Sequence, residues 1–117
     1  MRYLLENVNF TELKELDLRN NNLSEIKVLE KVRFIKLEKL YLSWNKISNN
    51  INIMENVNFS DLKELDLSSN NISELKVLEK VKFNKLEKLD LSGNKIDKNK
   101  YSNIINALEK RKIKIEI

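Results

Sequence analysis

Three aspartates, Asp17, Asp66 and Asp90, occupy equivalent places in a sequence that repeats, and the remaining copy has Tyr41 at that place. Matched carboxylates could hold a divalent cation or exchange protons as general acid and base. Either role needs company. A hard cation wants a dense set of oxygens, and proton transfer most often enlists histidine, which the chain lacks. Cysteine is absent too, so there is no thiol nucleophile, disulfide framework or zinc–thiolate site. The single glycine, Gly93, cannot build a phosphate-cradling loop. The expectation is therefore no enzyme, no metal and no cofactor. Asp66 and Asp90 fall in neighbouring copies, where like charges side by side are unfavourable, and the diagonal Lys39 and Lys88 are expected to offset them.

Recognition is the chemistry that remains. Tyr41 replaces an aspartate. Trp44 replaces a small or polar residue, since the other copies carry Asn20, Ser69 and Gly93 there. Tyrosine and tryptophan are enriched among residues that dominate binding interfaces. Tyr41 and Trp44, with Asp17, Arg19, Lys39, Asp66 and Asp90, form the expected partner-binding patch. The alternative is drift within a duplicated sequence, or an indole packed flat on its neighbours.

The elements that position these residues follow from the repeat. The frame L-x-x-L-x-L-x-x-N-x-[LI] opens at Leu13, Leu37, Leu62 and Leu86. Leucines alternate with polar residues at its centre, which predicts a short strand with one face buried. The chain must then turn at Asn21, Asn45, Asn70 and Asn94. A buried amide there can satisfy backbone groups of its own and adjacent copies, so this asparagine column is read as scaffold. Beyond the turn, Leu23, Ile26, Leu29 and Val32 recur every third residue, as do Ile72, Leu75, Leu78 and Val81. That spacing suits a 3₁₀ or single-turn helix. The second copy has one extra residue, and Ile47, Ile51, Met54 and Val57 predict a small outer irregularity there. Phe10, Phe34, Phe59 and Phe83 mark steps of 24, 25 and 24 residues and read as core. Residues 1–49 also map onto 50–98, a duplicated pair of copies.

Strand residues pointing away from the leucines include Glu15, Asp17, Glu64, Asp66 and Asp90 against Arg19, Lys39 and Lys88. This face is net negative although the chain carries +4. The lysine excess lies elsewhere, which weighs against phosphate-backbone binding by the face. No stretch approaches the roughly 20 apolar residues of a membrane span. The chain is expected to be cytoplasmic.

Stacked copies bury leucines that one copy alone cannot, with strands parallel and helical segments behind. The four segments resemble the leucine-rich repeat family, in a short-repeat class similar to bacterial internalins and a phosphatase-1 regulatory subunit. The resemblance implies an α/β fold: a right-handed solenoid with a concave parallel β-sheet that commonly binds proteins. Its convex side is expected to be 3₁₀ or short helical. The missing cysteine-rich cap argues against a secreted adhesin. One domain is expected over 1–117, with a partial repeat at 1–9 and repeats at 10–33, 34–58, 59–82 and 83–98. A capping helix and final strand follow at 99–117. Tyr3, Leu4, Leu5 and Val8 would cover the first repeat. Tyr101, Ile104, Ile105 and Leu108 fit an amphipathic helix, capped by Asp97 or Asn99. Ile113, Ile115 and Ile117 alternate as a last strand.

The expected function is a non-catalytic module binding an unidentified protein partner through the concave face. An alternative is assembly into a homodimer through an open N-terminal edge. A third is an acidic-surface or nucleic-acid binder using convex lysines and the run Lys110, Arg111, Lys112 and Lys114.

Overall fold

Each Leu-x-Leu pair folds into a strand only three residues long. In a computed structural model, which describes residues 11–32 and 34–117, these are β1 (Glu15–Asp17), β2 (Lys39–Tyr41), β3 (Glu64–Asp66) and β4 (Lys88–Asp90). A fifth, β5, spans Lys114–Glu116. All pair in parallel, in the order β1-β2-β3-β4-β5. Neighbouring strands contact neighbours in sequence, so the chain advances one strand per repeat as a solenoid. The expectations placed on Tyr3, Leu4, Leu5, Val8 and Phe10, and on an N-terminal edge, lie outside the described residues.

The register stacks leucine on leucine: Leu16, Leu40, Leu65, Leu89 and then Ile115 form one row. Leu40, Leu65 and Leu89 are fully buried, with Leu42, Leu67 and Leu91 behind them. Leu16 and Ile115, on the outer strands, are only partly buried. Each fully buried leucine contributes about 1.5–3 kcal/mol relative to exposure. Phe34, Phe59 and Phe83 are also buried, and the Phe59 and Phe83 rings stack at 6.2 Å.

The opposite side is built from 3₁₀ turns at Lys27–Glu30, Ser48–Asn56 and Lys76–Glu79. The middle one is nine residues long, and this is where the extra residue of the second repeat is absorbed. Ile47, Ile51 and Met54 nonetheless remain fully buried. The first and third turns bury Val28 and Val77 as well as Leu29 and Leu78.

Helix α1 (Ser102–Lys110) follows the last repeat. Asp97 does not cap α1 itself. Its carboxylate accepts the N–H groups of Asn99 and Lys100, holding the turn that leads into the helix. Tyr101 occupies the N-cap without a side-chain hydrogen bond. Tyr101, Ile104 and Leu108 face the core. The helix ends with Lys112 in the left-handed region (φ 64°), while Lys112 and Ile113 donate to the carbonyls of Glu109 and Leu108. This Schellman closure turns the chain directly into β5.

Charges alternate from one repeat to the next. Glu12, Lys36, Asp61 and Lys85 hold one position; Lys14, Glu38, Lys63 and Glu87 hold another. Ion pairs cross the repeat boundaries accordingly: Lys36–Glu12 at 2.9 Å, Lys63–Glu38 at 3.9 Å and Lys85–Asp61 at 3.2 Å.

Candidate partner-binding face

Side chains opposite the leucines form two rows across the sheet. The first runs Glu15, Lys39, Glu64, Lys88, Lys114; the second runs Asp17, Tyr41, Asp66, Asp90, Glu116. Glu64 is the hub of the first row, with Lys39 Nζ at 3.7 Å and Lys88 Nζ at 4.0 Å. Lys88 also reaches Glu116 at 3.7 Å.

This corrects the expected neutralisation of Asp66 and Asp90. Among the described residues the two lysines pair with glutamates, and neither aspartate has an ion pair. Each aspartate instead turns back on its own strand. Oδ1 of Asp66 accepts the Ser68 N–H and hydroxyl at 3.0 and 2.7 Å. Asp90 does the same with Ser92 at 2.9 and 2.6 Å. The reason is register: Glu64 stands directly opposite both lysines, whereas the aspartates lie on the diagonal and each has a preplaced serine two residues further along.

In the first repeat the residue two positions after the aspartate is Arg19. Its guanidinium grips Asp17 in a bidentate pair at 2.9 and 2.6 Å, which holds the Asp17 carboxyl below the usual carboxylate range. The same guanidinium lies 5.3 Å from the centre of the Tyr41 ring. Tyr41 is half-buried, and its hydroxyl donates to Glu64 at 3.4 Å. Burial, then the Glu64 charge, pushes the Tyr41 phenol above its ordinary value. Beside Tyr41, toward β3 and β4, a cleft of about 60 Å³ is lined by Glu64, Leu65, Asp66, Lys88 and Asp90.

Trp44 is placed differently. It sits in the left-handed backbone region (φ 57°) and is 65% exposed. The equivalent residues Asn20, Ser69 and Gly93 have φ of 59°, 54° and 69°. A left-handed turn is thus built into every repeat, and only the second fills it with a bulky side chain. The Trp44 indole makes no hydrogen bond, ring stack or cation contact among the described residues. The structure therefore gathers Asp17, Arg19, Tyr41, Lys39, Asp66 and Asp90 on one face, with Trp44 on the turn after β2.

Those turns are held by asparagines. Asn45 Nδ2 donates to the carbonyls of Leu18 and Leu42, and its Oδ1 accepts the N–H groups of Asn21 and Leu23. Asn94 spans the third and fourth repeats in the same way. Asn70 donates to Leu42, Leu67 and Ser68 and accepts from Ile47. Asn21 is exposed, and its side-chain amide donates only to the Arg19 carbonyl among the described residues.

Glu64 and Glu116 were not singled out from sequence. Their signal was available: Glu64 is the acid between Lys39 and Lys88 in the repeat alignment. Glu116 enters the second row once Ile115 is aligned with the leucines.

No group of three or more acidic, histidine or cysteine residues among the described residues is arranged to hold a metal. No described helix is long and apolar enough to cross a membrane. The family model described as Leucine Rich repeats (2 copies) matches residues 60–106, and the single Leucine Rich Repeat model matches 12–30 and 36–57. No curated protein matches the chain.

Proposed function

Because the chain belongs to the leucine-rich repeat family, whose repeats generally serve as non-enzymatic protein–protein interaction modules, we propose that it is a non-catalytic module that docks a partner protein on the concave face of its sheet. The observation that carries this reading is Trp44. A bulky residue on left-handed backbone costs roughly 1–2 kcal/mol, and here the side chain points into solvent rather than recovering that cost by burial. A binding role offsets the cost when the partner is present. Tyr41, on the strand leading to this turn, supplies a second aromatic anchor, and Asp17, Arg19, Lys39, Asp66 and Asp90 supply the polar surround.

The test is capture from native lysate, comparing the wild type with a Tyr41→Ala/Trp44→Ala variant. Lower capture at unchanged circular dichroism supports the reading. Equal capture removes it. Self-association through an edge strand is the competing reading, and it requires a mass that rises with concentration in light scattering. Nucleic-acid binding is disfavoured by the negative face, and a steep salt dependence of binding would argue otherwise.

A further inference from the structure

We propose that the cleft between Tyr41 and the Asp66–Asp90 pair receives an arginine side chain of the partner protein, an inference that rests on the sheet face being the docking surface. Asp66 and Asp90 stand directly opposite each other on β3 and β4. Their Oδ1 atoms are committed to Ser68 and Ser92, while their Oδ2 atoms accept no hydrogen bond among the described residues. Two adjacent carboxylates with free oxygens are repulsive on their own and gain by taking up a cation. The cleft beside them holds about 60 Å³, enough for the head of one side chain, and Leu65, whose side chain packs into the core on the other face of the sheet, meets it along the β3 main chain. Lys88 also lines the cleft, with its charge engaged by Glu64 and Glu116.

The chemistry favours guanidinium over ammonium. Tyr41 walls the cleft, and it already shows how this site treats a guanidinium. Arg19 approaches from the β1 side, paired to a carboxylate while lying over the ring. The β3 side repeats those ingredients, aromatic wall and carboxylate, without a resident arginine. A planar guanidinium can stack on the ring and use both edges for the two carboxylates; an ammonium cannot do both at once. The location is also selective. The chain as a whole carries +4, so a basic segment is repelled elsewhere and drawn to this net-negative face.

The probe is a pair of capped peptides, Ac-Gly-Ser-Arg-Ser-Gly-NH2 and the same peptide with neutral citrulline in place of arginine. Each is titrated into the full chain while backbone amides are followed by NMR. The arginine peptide is expected to shift Tyr41, Leu65, Asp66 and Asp90, and citrulline to leave them in place. An Asp66→Asn/Asp90→Asn variant keeps the carbonyl oxygen that Ser68 and Ser92 need, so the fold is retained, and it should bind the arginine peptide about tenfold more weakly. Equal shifts with citrulline, shifts spread over acidic residues elsewhere, or full binding by the double variant would overturn the proposal. The failures are separable. If partner capture falls with Tyr41→Ala/Trp44→Ala but not with Asp66→Asn/Asp90→Asn, the docking face stands and the arginine slot is wrong.

Discussion

The backbone N–H of Asn70 donates to Oδ1 of Asn94 at 2.8 Å, as that of Asn21 does to Asn45 at 3.0 Å, whereas Oδ1 of Asn70 takes the Ile47 N–H at 3.3 Å. Asn70 is fully buried. Replacing it by alanine leaves the buried Ile47 N–H without its acceptor and takes one of two amide donors from the carbonyls of Leu42 and Leu67, which keep Asn45 and Asn94. Asn70→Ala should cost about 1–3 kcal/mol, while the exposed Asn21→Ala should cost less than about 0.5 kcal/mol. Denaturant midpoints at constant slope measure both. Equal losses would mean that the ladder is not what separates the two sites.

Trp44 offers the opposite sign. Asn20 occupies the same left-handed position at φ 59°, and asparagine tolerates that region far better than tryptophan. Trp44→Asn should therefore stabilise the fold by about 1 kcal/mol, a rise of roughly 4–8 °C in Tm for a small domain. The same change should weaken partner capture. A drop in Tm would instead assign the indole a packing role.

For Asp17 the expected signature is in pH. Arg19 lowers its carboxyl, so the pair's contribution is present above the ordinary carboxylate range and is lost as pH falls through the lowered value. Arg19→Ala should return Asp17 to ordinary titration, read by carboxyl-carbon NMR. Both groups are exposed, so thermal stability should barely change.

Tyr41 shifts the other way. Its phenol is raised, so its contribution is intact below ordinary phenol titration and disappears as pH climbs through the raised value. Ring-carbon NMR should find Tyr41 ionising later than an exposed tyrosine. Glu64→Gln should remove part of that delay and leave the part due to burial. Ionisation at or below the ordinary value would contradict the packing described.

The parallel sheet, its leucine rows and the three-residue spacing behind it were legible because they repeat. Leu40, Leu65 and Leu89 each report on one another, and periodic signals add. The solvent face was less legible. Its candidate residues could be named, but sequence spacing does not say which cation meets which anion. Lys39 and Lys88 choose Glu64 because alternating repeats place it between them, and Asp66 chooses Ser68 because local bonds form at lower entropic cost. The left-handed backbone at Trp44 was hidden for a similar reason. Asn20, Ser69 and Gly93 share a preference for that region only when read as a column, and tryptophan does not advertise it.

The alternating charge columns constrain how such an array can change its copy number. Removing or adding one repeat would set Glu12 against Asp61, or Lys36 against Lys85, and turn every crossing ion pair at that boundary into a like-charge contact. Removing or adding two together leaves every boundary complementary. The period of the charge pattern is therefore two repeats, the same period at which residues 1–49 map onto 50–98.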